Sequence, residues 1–267
     1  AGKTTTVECL IGLRQPDAGT IRVLDLDPQR DRKRLREMVG VQLQESQLPD
    51  ALRVAEALEL YASFYDSPSD PRQLMDDLGL AEKATTAFGD LSGGQQQRLS
   101  IALALVSNPR IAILDELTTG LDPEARRSIW TMIETIRDQG VTIVLVSHTM
   151  EEVERLCDRV AIIDRGKVIA RDTPTGLVAA HGDAQRVSFR LVQEGDVSQL
   201  RELAEVDAVV RDGMHVTVTG SGDLLQVVSV ALVDHGIVAT DTTAHTPSLD
   251  DAFLALTGRA FDDGDHR

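Results

Sequence analysis

The apolar positions of the first two thirds of the chain switch between two periodicities. Leu99, Ala102, Leu103 and Val106 recur at i, i+3, i+4 and i+7, which predicts a helix that Ser92 and Gln95, in capping-box spacing, open and Asn108-Pro109 stops. Residues 111–114 form a continuous apolar run bounded by polar residues, as expected of a central parallel strand covered on both faces. Asp122-Pro123 supplies an N-cap and an N1 proline for a helix carrying Ile129, Met132, Ile133 and Ile136 on one face and ending at Gly140. Residues 141–146 read as another buried strand, followed by a helix to Cys157 and a hairpin across Arg165-Gly166. Upstream, an opening helix leads through a turn at 16–19 to a short strand at 20–24. A charged helical face at 29–36 and a strand at 38–43 ending in Gln44 follow. From Leu52 to about Gly89 the pattern is helical, broken at Ser67-Pro68 and Asp70-Pro71, and reads as a small all-helical insert. Strands alternating with helices imply an α/β domain.

Composition shifts near Pro174, so the expected organisation is a first domain over 1–173 with the helical insert at about 48–92, a linker over 174–184 and a second domain over 185–267. In that second domain the patterns predict strand (186–192), helix (197–204), strand (208–212), strand (215–219), helix (224–234), strand (236–240) and a last helix (249–256). The core order βαββαβ is a split-βαβ, ferredoxin-like, α+β arrangement.

The 267 residues, 42% hydrophobic and 26% charged, have the composition of an ordinary soluble globular protein. No apolar run approaches the roughly 18 to 20 residues needed to cross a bilayer, so neither a transmembrane helix nor a signal peptide is expected. A net charge of −16 argues against a general nucleic-acid binder, which would carry a basic face. Cys9 and Cys157 lie in helical stretches without ligand-like neighbours and read as free buried thiols of a reducing compartment.

The chemistry begins at Ala1-Gly2-Lys3-Thr4-Thr5-Thr6, the second half of a G-x-x-x-x-G-K-[ST] phosphate loop whose first half is expected upstream. In such a loop backbone N–H groups and a helix N-terminus wrap phosphates, the lysine reaches the β/γ oxygens and the Ser/Thr hydroxyl binds Mg²⁺. Gly2, Lys3, Thr4 and Thr5 stand in those places. Four further signals follow in order: Gln44 after a strand, LSGGQQQR at 91–98, IAILDE at 111–116, and His148 at the end of the strand VTIVLVS.

Together these motifs resemble the nucleotide-binding subunits of ABC transporters over about residues 1–173, and the tail SLDDAFLALTGR resembles that of ABC-2 and daunorubicin-resistance-type export ATPases. The resemblance implies a P-loop NTPase with a helical subdomain that binds ATP and Mg²⁺. It implies that Glu116 is the general base, that His148 contacts the γ-phosphate and steadies Glu116, and that Gln44 senses the metal and the attacking water. Gln42 lies close by, but G-V-Q-L-Q fits the family best with Gln44 in that place. Asp115 and Thr4, with Gln44, would serve the metal. Ser92, Gly93, Gly94 and Gln95 would close on ATP held by a second subunit, with Asp122 at the interface, so a homodimer or a paired ATPase subunit is implied. Leu117 stands where the family usually has proline. A separate integral membrane permease, docking near Gln44 and residues 48–65, and a place on the cytoplasmic face of the cell membrane are implied too, with no nucleic acid involved. The expected function is powering export of a drug, lipid or polysaccharide; the alternatives are a soluble non-transport ABC ATPase or an inactive ATPase fragment.

Overall fold

The computed structural model describes residues 2–43, 48–182 and 184–258, and the chain parts into two compact units after Ile169. In the first unit the order is α1 (Lys3–Leu10), α2 (Arg32–Met38), β1 (Val39–Gln42), α3 (Val54–Ala62), α4 (Pro71–Asp77), α5 (Gly93–Leu105), β2 (Ile111–Asp115), α6 (Pro123–Asp138), β3 (Thr142–Val146), α7 (Met150–Leu156) and β4 (Val160–Asp164). Strands β1, β2 and β3 pair in parallel in that spatial order, with β2 in the middle.

The continuous apolar run of β2 has its reason in the two layers around it. Ala112 and Leu114 join a cluster with Leu99, Ile101 and Ala102 of α5 and Ile129 and Ile133 of α6. Ile113 points the other way, to Val7 of α1 and Leu35 of α2. A strand covered on both faces needs no polar alternation. The same large cluster takes in Val54, Leu58, Leu74 and Leu80, so the helical insert shares one core with the sheet layer. Gly40 lets β1 approach α5: a Cβ there would lie 1.8 Å from the Ala104 carbonyl oxygen.

The expected strand at 20–24 is instead a tight turn. Leu24 and Asp25 take φ of 51° and 63°, and Val23 and Leu26 exchange backbone hydrogen bonds of 3.0 and 2.9 Å across it. A two-residue loop with both φ positive closes on itself and leaves no length for a strand. The hairpin expected across Arg165-Gly166 is built the same way, with φ of 47° and 75° between β4 and β5 (Lys167–Asp172).

The expected linker carries a helix, α8 (Pro174–His181), which Thr173 caps by accepting the Gly176 N–H at 2.9 Å and which Pro174 starts at N1. There follow β6 (Gln185–Leu191), β7 (Val206–Asp212), β8 (His215–Gly220), α9 (Leu224–Asp234), β9 (Ala239–His245) and α10 (Leu249–Thr257), with α8 packed on α10. The sheet runs β7-β8-β6-β9, all antiparallel, the order of the ferredoxin-like fold. Val187, Phe189 and Leu191 point from β6 into a core shared with Val216, Val218, Leu224 and Val228.

Several boundaries differ from expectation here: β7 starts two residues early, at Val206, and the last strand runs on to His245 rather than residue 240. The helix expected at 197–204 is a 3-10 turn at Ser198–Glu202, because Asp196 captures the Ser198 N–H at 2.9 Å and the next strand starts at Val206. The last strand starts at Ala239 because α9 ends in a Schellman turn: Gly236 has φ 66°, and Ile237 donates to the Leu232 carbonyl at 2.8 Å.

The close approach at Gly40 has a measurable consequence. Gly40→Ala forces β1 off α5 and is expected to lower the stability of the first unit by about 3 kcal/mol, the upper range for overpacking. A matched urea unfolding curve checks this, and an unchanged midpoint would contradict the packing.

Candidate active site

Parallel pairing of β2 with β3 is what assembles the site. Asp115 stands opposite Val146, and the ladder continues one step further as the Glu116 N–H donates to the Val146 carbonyl at 2.9 Å. Two residues past Val146, His148 therefore meets the Glu116 side chain, with Nδ1 3.5 Å from Oε1. Glu116 holds φ 53°, a left-handed conformation that non-glycine residues keep only where the surroundings impose it. From the start of α1, Lys3 reaches the same edge and donates through Nζ to the Ser147 carbonyl at 3.1 Å. Gly2 caps α1 with φ 109°, where a side chain would be strained, and Thr4 and Thr5 are exposed in its first turn.

Asp115 ends β2 almost fully buried, at 3% exposure. Burial and then the neighbouring Glu116 charge push its carboxyl above the usual aspartate range, against the opposing pull of Lys3 and His148. Its backbone N–H donates to Gln42 Oε1 at 3.2 Å, while Gln42 Nε2 donates to the Leu43 carbonyl at 3.1 Å. Gln42 thus fastens β1 to the Asp115 peptide, whereas Gln44 lies outside the described residues.

Ser92, Gly93, Gly94, Gln95 and Asp122 form a second group, at the N-termini of α5 and α6. Ser92 Oγ accepts the Gln95 N–H at 3.4 Å and Gln95 Oε1 accepts the Ser92 N–H at 3.0 Å, so the predicted capping box is formed. Asp122 accepts the N–H groups of Glu124 and Ala125 at 3.0 and 2.9 Å. These bonds, Ala125's foremost, hold its carboxyl below the usual range. Gly93 faces Leu121 and Gly94 faces Ala125, and Arg98 of α5 donates to Ser128 of α6 at 2.6 Å, so the two helix starts lie side by side. Exposed N-termini of this kind favour anions.

A third set of contacts belongs to none of the sequence motifs. Glu152 of α7 is buried and receives hydrogen bonds from Thr118 and Trp130. The available signal was a charged residue at helical spacing with the buried Leu156.

A phosphate-loop helix, a buried carboxylate at the carboxyl edge of a parallel sheet and a Glu–His pair beside it define a P-loop nucleotide hydrolase. The profile of the family described as "ABC transporter" matches residues 1–119. The Nod factor export ATP-binding protein I of Burkholderia orbicola is 33% identical over 98% of this chain and 86% of its own length. The daunorubicin resistance ATP-binding protein DrrA3 of Streptomyces coeruleorubidus is also 33% identical, over 97% of this chain and 84% of its own. Among solved structures, the ATP-binding cassette MJ0796, a dimer in a post-hydrolysis state with ADP and phosphate, superposes with a TM-score of 0.56 at 27% identity, over 64% of this chain and 80% of that one. The chain belongs to the ABC transporter family, as an ATP-binding subunit and an ATPase.

Because the native pKa of Asp115 is raised, its ionised form opposes folding. The penalty is absent below the ordinary carboxylate range, where folded and unfolded chains both carry the proton; it grows as pH rises from that range to the raised native value and is constant above it. Asp115→Asn is therefore expected to raise the melting temperature of the nucleotide-free protein at neutral pH and to leave it unchanged in acid. A fluorimetric pH series reads both limbs; a neutral-pH loss would count against the burial argument.

Proposed function

We propose that the protein is the ATP-hydrolysing subunit of an exporter, working as a homodimer or beside a paired ATPase subunit under a separate membrane permease, on the cytoplasmic face of the cell membrane. The observation that carries this is the Glu116–His148 pair, 3.5 Å apart at the sheet edge that Lys3 also reaches. Both export ATP-binding relatives align over nearly the whole chain, which favours export over other ABC functions. Among the described residues no helix is long and apolar enough to cross a membrane, in keeping with a permease on another chain.

Lys3 and the N–H groups opening α1 bind the β- and γ-phosphates. Thr4 and Asp115, with Gln44, would hold the Mg²⁺ that travels with ATP. Hard oxygen donors, one of them a carboxylate whose ionisation a cation would favour, suit it, and Mg²⁺ takes most of its ligands from phosphate and water. Bound there, the ion would supply charge neutralisation for the γ-phosphate. Glu116 orients the attacking water and accepts its proton, while His148 holds Glu116 and touches the γ-phosphate. The N-termini at Ser92–Gln95 and Asp122 close on the nucleotide of the second subunit, so turnover requires dimerisation.

The permease docks on the helical insert. A cavity of about 440 Å³ opens between the insert and the first sheet, lined by Leu43, Leu48, Tyr61 and Tyr65 among others. Leu60 and Phe64 remain exposed on the neighbouring turns. A drug, lipid or polysaccharide is the expected class of cargo.

Glu116→Gln is expected to abolish phosphate release and trap an ATP-bound dimer on size exclusion; a parental rate would remove Glu116 as the base. Ser92→Arg is expected to leave ATP binding intact while eliminating both the dimer and turnover. Equilibrium binding of a fluorescent ATP analogue separates the two effects, and full activity would dismiss the composite site.

A further inference from the structure

Glu152 is 1% exposed and has no part in the chemistry proposed above. Its Oε1 accepts hydrogen bonds from Thr118 Oγ1 and Trp130 Nε1, each at 3.1 Å. The three residues lie on three segments: the loop that follows Glu116, helix α6, and helix α7, which follows His148. A second tie runs alongside. Arg155, further along α7, places its guanidinium 5.2 Å from the centre of the Trp130 ring and pairs with Glu134 at 2.8 and 3.2 Å. Trp130 is thus engaged by α7 through both its N–H and its ring face.

A buried carboxyl is a costly way to hold helices together, since a well-packed apolar residue of the same volume does so as well. What it offers instead is a short, directional acceptor for two donors at once. The loop it grips is the one whose first residue, Glu116, keeps a left-handed backbone, and the helix it sits on begins just after His148. We infer that Glu152 is a positioning residue for hydrolysis: by gripping Thr118 and Trp130 through one oxygen it sets the separation of Glu116 and His148. The inference rests on the reading of that pair as the hydrolytic pair.

Trp130 is the single tryptophan of the chain, so its fluorescence reports this contact directly. Glu152→Gln and Thr118→Val are each expected to lower kcat on the order of 10- to 100-fold, as small misplacements of reacting groups do, with KM for ATP changed less than about twofold. Both should shift the Trp130 emission. Because Glu152 acts through His148, Glu152→Gln made on top of His148→Ala should cost little more than His148→Ala alone. A folded Glu152→Gln protein with parental kcat overturns the inference, as do losses that multiply with His148→Ala or that appear in KM instead. Should Glu152→Gln fail to fold, Thr118→Val carries the same expectations and the same refutations. A parent without ATPase activity counts against the hydrolytic reading alone; the emission shift is read without turnover, and its absence in both variants removes the grip itself.

Discussion

Everything polar in the first unit hangs on the placement of β2. The strand is pinned between two apolar layers, with Ala112 and Leu114 against α5 and α6 and Ile113 against α1 and α2, and it is hydrogen-bonded on both edges. Such a strand has no freedom to slide: a shift of one residue would exchange its two faces and bring Asp115 into an apolar layer. Its end is therefore a fixed point, and the parallel partner β3 ends level with it. Glu116 extends the ladder by one bond to Val146, and Lys3 bonds to the next carbonyl, that of Ser147. The phosphate-loop lysine, the Glu–His pair and the buried aspartate are gathered by strand register.

The same placement creates a tension that the proposed chemistry uses. Asp115 sits where burial and a neighbouring carboxylate both oppose its charge, while Lys3 and His148 oppose them only in part. In the proposed chemistry a cation would favour the charged carboxylate, and phosphates would give Lys3 partners beyond the Ser147 carbonyl. A carboxylate whose charge its surroundings oppose is the kind of group found at binding sites. The second group behaves oppositely. Asp122 and Ser92 are satisfied by their own helix starts, and Arg98 braces α5 on α6 through Ser128, so that surface is preorganised before any partner arrives.

The second unit carries its own core and its own logic. Alternation along β6 sends Val187, Phe189 and Leu191 inward and leaves Arg186 and Arg190 outside, and α9 closes the sheet with Leu224, Val228 and Leu232. Its strand order follows from connecting βαββαβ with all neighbours antiparallel. Packing of α8 on α10 makes the segment after Thr173 part of this unit, a contact distant in sequence, so a helix stands where the composition shift suggests a linker.

Local signals sufficed wherever the deciding interactions were local. The caps at Ser92 and Asp122, the N1 proline Pro123, the apolar run of β2 and the two-residue turn at Arg165-Gly166 all act within a few residues, so the elements they bound were legible from the chain alone. Motif order likewise pointed to Lys3, Asp115, Glu116 and His148. Errors arose where a turn outcompeted a weak pattern, as Leu24-Asp25 did for the expected strand at 20–24 and Gly236 did for the start of β9. What only the tertiary structure decided is which polar groups meet across long stretches of sequence. Gln42 against the Asp115 peptide, and Glu152 between Thr118 and Trp130, join residues with no common local pattern. Periodicity records which face a residue occupies; the partner it finds there depends on how separate elements pack, and that information is spread over the whole core.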